Sequence, residues 1–150
     1  MIWRALFAYL HLVAAGLTAA LLVAQYWMLK RPVDRVQATL LGAMGLGQLL
    51  AGAAVIATGM ALASAFGMGS GYYLGHPLFL LKMGIFAVLA VVSVLPLLQY
   101  VHWTREARRR PAFLPLLREV ERVRAALSLM IGLMALLPLP AVLVARGFGS

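Results

Sequence analysis

The sequence predicts an all-α integral membrane protein: a bundle of four transmembrane helices with both termini outside, on the periplasmic face. Three observations carry this reading: an apolar composition, four apolar runs each long enough to span a bilayer, and positive charge gathered into two of the three connections. Of 150 residues, 64% are hydrophobic and 11% charged, and the mean hydropathy is +0.96. Soluble domains are about 45–50% apolar and about 25% charged. One helical bundle uses nearly the whole chain, residues 1–150, as a single transmembrane domain and leaves no room for a soluble catalytic unit. Cysteine is absent, which removes disulfides, thiolate chemistry and iron–sulfur ligation.

The four runs fall at about 3–29, 36–65, 77–102 and 124–146, each near the roughly 20 residues that cross a hydrocarbon core. The first is longer than a signal-peptide core and is read as a retained helix. All are continuous rather than alternating, so helices and not a barrel satisfy their backbone in lipid. Between the first and second lie Lys30, Arg31 and Arg35; between the third and fourth lie Arg105, Arg108, Arg109, Arg110, Arg118, Arg122 and Arg124. These share one face of a four-helix topology, and the excess of positive charge assigns that face to the cytoplasm. Tyr26, Trp27, Tyr100 and Trp103 fall at this inner boundary, and Trp3, Tyr72 and Tyr73 at the outer one, as an aromatic belt predicts.

"PAFLPLLREVERVRAAL" begins near 112 and repeats Phe113, Leu116, Leu117 and Val120 at helical spacing. Residues about 112–123 are expected to form an amphipathic segment that lies at the interface or extends the fourth helix. The net charge of +9 is explained by the inside rule and by anionic lipids on the cytoplasmic face, so no nucleic-acid partner is expected. Gln25 and Gln48 are expected to hydrogen-bond within the bundle, and Gly42, Gly45, Gly47, Gly52 and Gly59 to let helices approach closely. Gly67, Gly69 and Gly71 read as a flexible loop, and His76 and His102 as solvated or interfacial side chains.

Ionisable groups inside a bilayer are costly and mark functional sites by default. His11 and Lys82 are the two at depth, about 11 Å and about 7–8 Å below the outer boundary at 1.5 Å per residue. At the same level the second helix presents Thr58, Gly59 and Met60, and the fourth presents Pro138 to Pro140. A histidine, a methionine, a lysine and a close-approach glycine in one layer suit haem b, which takes one or two axial ligands in an apolar slot. His11 is the expected axial ligand of the iron, with Met60 or Lys82 as a second ligand and Lys82 alternatively handling protons. Arg4 lies two turns before His11 on the same face, where it would pair with a propionate.

"AYLHLVAAG", "RPVDR", "YYLGHPLFLLK", "LPLLQYVHW" and the terminal "ARGFG" together resemble an uncharacterised bacterial membrane family, domain-of-unknown-function family 2214, across the whole chain. That resemblance implies a multi-pass protein of the bacterial inner membrane and no particular activity. A histidine early in the first helix and a lysine early in the third more distantly resemble the four-helix, haem-containing protoporphyrinogen oxidase family and the copper-resistance D membrane domain. In the oxidases those two residues are linked to haem binding and activity, and they fall on His11 and Lys82 here. The expected function is thus a haem b protein for electron transfer or redox chemistry, whose status as an enzyme stays open. A copper or other metal-ion permease and a structural subunit of a larger membrane complex are the alternatives. The partners in view are the bilayer, a membrane redox partner or larger complex, and a second copy of the chain.

Overall fold

The computed structural model describes residues 1–65, 75, 77–110 and 112–146. Tyr72, Tyr73, His76 and the loop glycines Gly67, Gly69 and Gly71 lie outside the described residues. Among the described residues the helices follow in chain order: α1 (Ile2–Met28), α2 (Arg35–Ser64), α3 (Pro77–Arg109), α4 (Leu117–Leu136) and α5 (Pro138–Ala145). Among the described residues there is no strand. Among the described residues four spans are long and apolar enough to cross a membrane: α1, α2, α3 and the stretch Leu117–Pro140.

Local chemistry sets the helix ends. α1 stops just before "KRP", since a proline disfavours helical backbone in the residue ahead of it. Asp34 then caps α2, its Oδ1 accepting from the Gln37 N–H at 2.8 Å. Pro77 opens α3 at the first helical position, where a missing N–H costs nothing. α3 runs to Arg109, well past the expected end near 102, because Glu106 pairs with Arg109 and Arg110 and carries the helix beyond the apolar run. α4 begins at Leu117, so residues 117–123 form its first two turns rather than a separate interfacial segment. Glu119 fixes that start by accepting from the Leu116 N–H. Pro138 interrupts the last span, since a proline has no N–H for the carbonyl four residues back, and divides it into α4 and α5.

Contacts run α1–α2, α2–α3, α3–α4 and α1–α4, which closes a ring with α1 diagonal to α3. The tightly packed part lies toward the arginine-rich end: Leu22, Leu29, Val33, Ala38, Leu41, Tyr100, Trp103, Ala107, Val123 and Leu127 are all buried there. Tyr100 and Trp103 have no exposure, which corrects the reading of them as belt residues. Their rings meet tilted at 51° with centroids 5.8 Å apart inside the bundle, and the Trp103 Nε1–H finds the Glu119 carboxylate at 3.0 Å rather than the interface. Trp3 and Trp27 are exposed, as a belt requires. In lipid no hydrophobic force holds helices together, so close contact depends on small residues. A Cβ at Gly45 would meet the Tyr100 ring at 3.1 Å and one at Gly42 would meet Thr104 Oγ1 at 3.2 Å, which is how α3 lies against α2.

Candidate functional site

The half of the bundle away from the arginines is loosely filled, and a cavity of about 290 Å³ opens there between α1, α2 and α3. His11 reaches it from α1, Val55, Gly59 and Met60 from α2, and Phe79, Lys82 and Phe86 from α3. The structure therefore brings four predicted site residues, His11, Gly59, Met60 and Lys82, onto one wall system. α1 and α3 are diagonal, so His11 and Lys82 meet across the bundle and not along a helix pair. Arg4 is exposed near the end of α1 and is not part of the lining. Pro138 to Pro140 are likewise absent from it, because α5 contacts α3 and α4 only.

His11 is held by backbone geometry that its own sequence neighbourhood does not advertise. Its Nδ1 lies 3.0 Å from the Val55 carbonyl and 3.0 Å from Thr58 Oγ1. A carbonyl oxygen only accepts, so Nδ1 carries the proton and donates. The Thr58 hydroxyl gives its own hydrogen to the Ala54 carbonyl at 2.6 Å, which leaves its oxygen to accept as well. In the neutral ring the other nitrogen, Nε2, is then an unprotonated lone pair, with no hydrogen-bond partner among the described residues. Gly59 makes this seat possible: a Cβ there would stand 3.1 Å from His11 Cε1. The imidazole packs against that side of the glycine, and Gly59 also lines the cavity.

Met60 is 62% exposed, so it stands at the cavity's rim toward lipid. Lys82 is half-buried in a largely apolar lining. Among the described residues, no acidic side chain lines the cavity and no three His, Cys, Asp or Glu side chains come together.

Thr18 and Gln25 were not singled out with His11, yet they continue a spacing that the sequence displays. Arg4, His11, Thr18 and Gln25 recur every seven residues on one face of α1. Thr18 and Gln25 are buried, and Gln25 donates to Gln48 Oε1 of α2 at 2.7 Å, the bundle hydrogen bond expected of that pair.

A ring of four helices long and apolar enough to span a bilayer, around an internal cavity, defines a polytopic helical membrane protein. Residues 3–149 match the family described as a predicted membrane protein, DUF2214, and the chain belongs to that family. No curated protein and no solved structure matches the chain. The more distant likeness to the haem-containing oxidases and the copper-resistance domain rests on His11 and Lys82 and gains nothing from these comparisons.

Proposed function

We propose that the protein binds haem b through His11 and works in electron transfer or redox chemistry within the membrane. The observation that supports this best is the state of His11: Nδ1–H is committed to Val55 and Thr58, which frees Nε2 as a ligand on an apolar cavity. Metal-bound histidines are held in this way, with the second ring N–H donating to a carbonyl that fixes the tautomer and raises basicity. Haem needs only one or two such ligands, so the lack of a larger ligand cluster among the described residues does not count against it. The volume of about 290 Å³ is at the lower edge of ligand pockets, about 300–1,000 Å³.

When bound, the haem would supply reversible one-electron chemistry. His11 would hold it, the Phe79 and Phe86 side chains would keep water from the slot, and Lys82 would offer a cation to a carboxylate or hold a proton there. Met60 is a candidate second ligand at the rim, and Arg4 at the outer end of α1 a candidate propionate partner. The arginine-rich end faces the cytoplasm of a bacterial inner membrane in this reading, with both termini outside. A metal-ion permease would need a series of ligands along a path, whereas the cavity lining among the described residues holds one histidine and the two thioethers of Met60 and Met83.

The test is a reduced-minus-oxidised absorption spectrum of the detergent-purified protein made with ample haem supply, with His11→Ala beside it. A b-type spectrum that the substitution abolishes or shifts is expected. A folded, monodisperse preparation without haem would overturn the proposal.

A further inference from the structure

A second cavity, of about 150 Å³, lies deeper in the bundle, beyond Ile56 and Phe86, which line both spaces. Its polar wall is made by Thr18, Gln25, Gln48, Ser93 and Tyr100. Tyr100 has no exposure, and its hydroxyl is buried with no hydrogen-bond partner among the described residues. A buried hydroxyl left unpaired is costly, and such groups in folded proteins are nearly always satisfied by protein or by water. The two glutamines use a single hydrogen bond between them, one N–H of Gln25 to Oε1 of Gln48, so donors and acceptors remain on both amides. Thr18 and Ser93 send their hydrogens to the Ala14 and Ala90 carbonyls, which leaves hydroxyl lone pairs at the wall.

We propose that this cavity is a hydrated site that holds a small water cluster anchored on Tyr100, Gln25 and Gln48. The volume has room for about five waters at roughly 30 Å³ each, and each water needs two to four polar partners, which this wall provides. Ile56 and Phe86 line both cavities, so the two spaces adjoin on the His11 side. The cluster would place exchangeable protons as far as Thr18, two turns or about 10 Å along α1 from His11. The inference stands on this cavity alone and does not depend on what His11 binds.

Water-edited solid-state NMR of the full chain in lipid bilayers tests it, by the rate of polarisation transfer from water to side chains. Transfer to the Gln25 and Gln48 amides and the Tyr100 ring is expected to be at least fivefold faster than to the Leu41 and Leu127 methyls, which are fully buried nearby. Tyr100→Phe, which removes no protein–protein hydrogen bond, is expected to slow transfer to Gln48 by at least twofold. Wild-type transfer no faster than at the two leucines would mean a dry cavity and would overturn the proposal.

Discussion

The imidazole of His11 lies against the bare backbone of Gly59, with Cε1 3.1 Å from where a Cβ would stand. The contact couples a packing residue on α2 to the orientation of the ligand candidate on α1. Gly59→Ala must move the ring or the helix, and forcing one methyl into a filled space costs about 1–3 kcal/mol. Gly52→Ala on the same helix meets nothing within 4 Å and serves as the control. Thermal unfolding in detergent is expected to show a lowered Tm for Gly59→Ala and an unchanged or raised one for Gly52→Ala. Equal behaviour of the two would remove the close approach as an explanation of this glycine.

The Trp103–Glu119 hydrogen bond closes the opposite end of the bundle. Glu119 also holds the Leu116 N–H, so one carboxylate ties α3 to the first turn of α4. Glu119→Ala is expected to cost about 1–3 kcal/mol, since it leaves a fully buried indole N–H without an acceptor. Trp103→Phe is expected to destabilise through lost ring volume, and the double variant to lose less than the sum of the two. Additive losses in that cycle would show that the two residues act independently.

Gln25 and Gln48 lend themselves to the same treatment at membrane depth. Each single change to Leu orphans part of the other amide, whereas the double change leaves an apolar contact. Interhelical hydrogen bonds in bilayers average about 0.6 kcal/mol and reach about 1.7. Coupling in that range, read from unfolding equilibria of the four proteins, is the expected result; a value near zero would mean that the amides bond elsewhere.

The spans were legible because lipid demands continuous apolar runs and leaves helices as the simple solution. Charge and proline placement marked the connections for the same reason. The diagonal relation of α1 to α3 was not legible, since nothing in a hydropathy pattern orders helices around a ring. Tyr100 and Trp103 misled because an aromatic residue near a span's end has the same sequence signature in a belt as in a core; a partner sixteen residues away, Glu119, decides between them. At the site, depth alone brought His11 and Lys82 to one level, and the structure puts both on one cavity. The group that fixes the His11 tautomer, a main-chain carbonyl at Val55, has no side-chain signature at all. The seven-residue recurrence from His11 to Thr18 and Gln25 was present in the sequence and marks the face that α1 turns inward.

Lys82 separates a functional cation from a tolerated one. It is half-buried on the cavity that His11 also lines, with no carboxylate on the wall among the described residues. A lysine at the centre of a spanning helix costs about 2.5–3.5 kcal/mol on insertion scales, less toward the boundary where the side chain reaches headgroups. Lys82→Met keeps the length and apolar stem while removing the charge, so the variant is expected to insert and fold at least as well as the parent. Lys82→Arg retains the charge on a larger group in a cavity of about 290 Å³. If the ammonium exists for a ligand in the His11 cavity, Lys82→Met should weaken haem retention at least tenfold or shift the b-type spectrum while Tm holds or rises, and Lys82→Arg should recover part of the loss. Titration of haem into the purified apoproteins measures this directly. Unchanged retention in Lys82→Met, with a raised Tm, would assign the lysine to the boundary and leave His11 as the cavity's one working group.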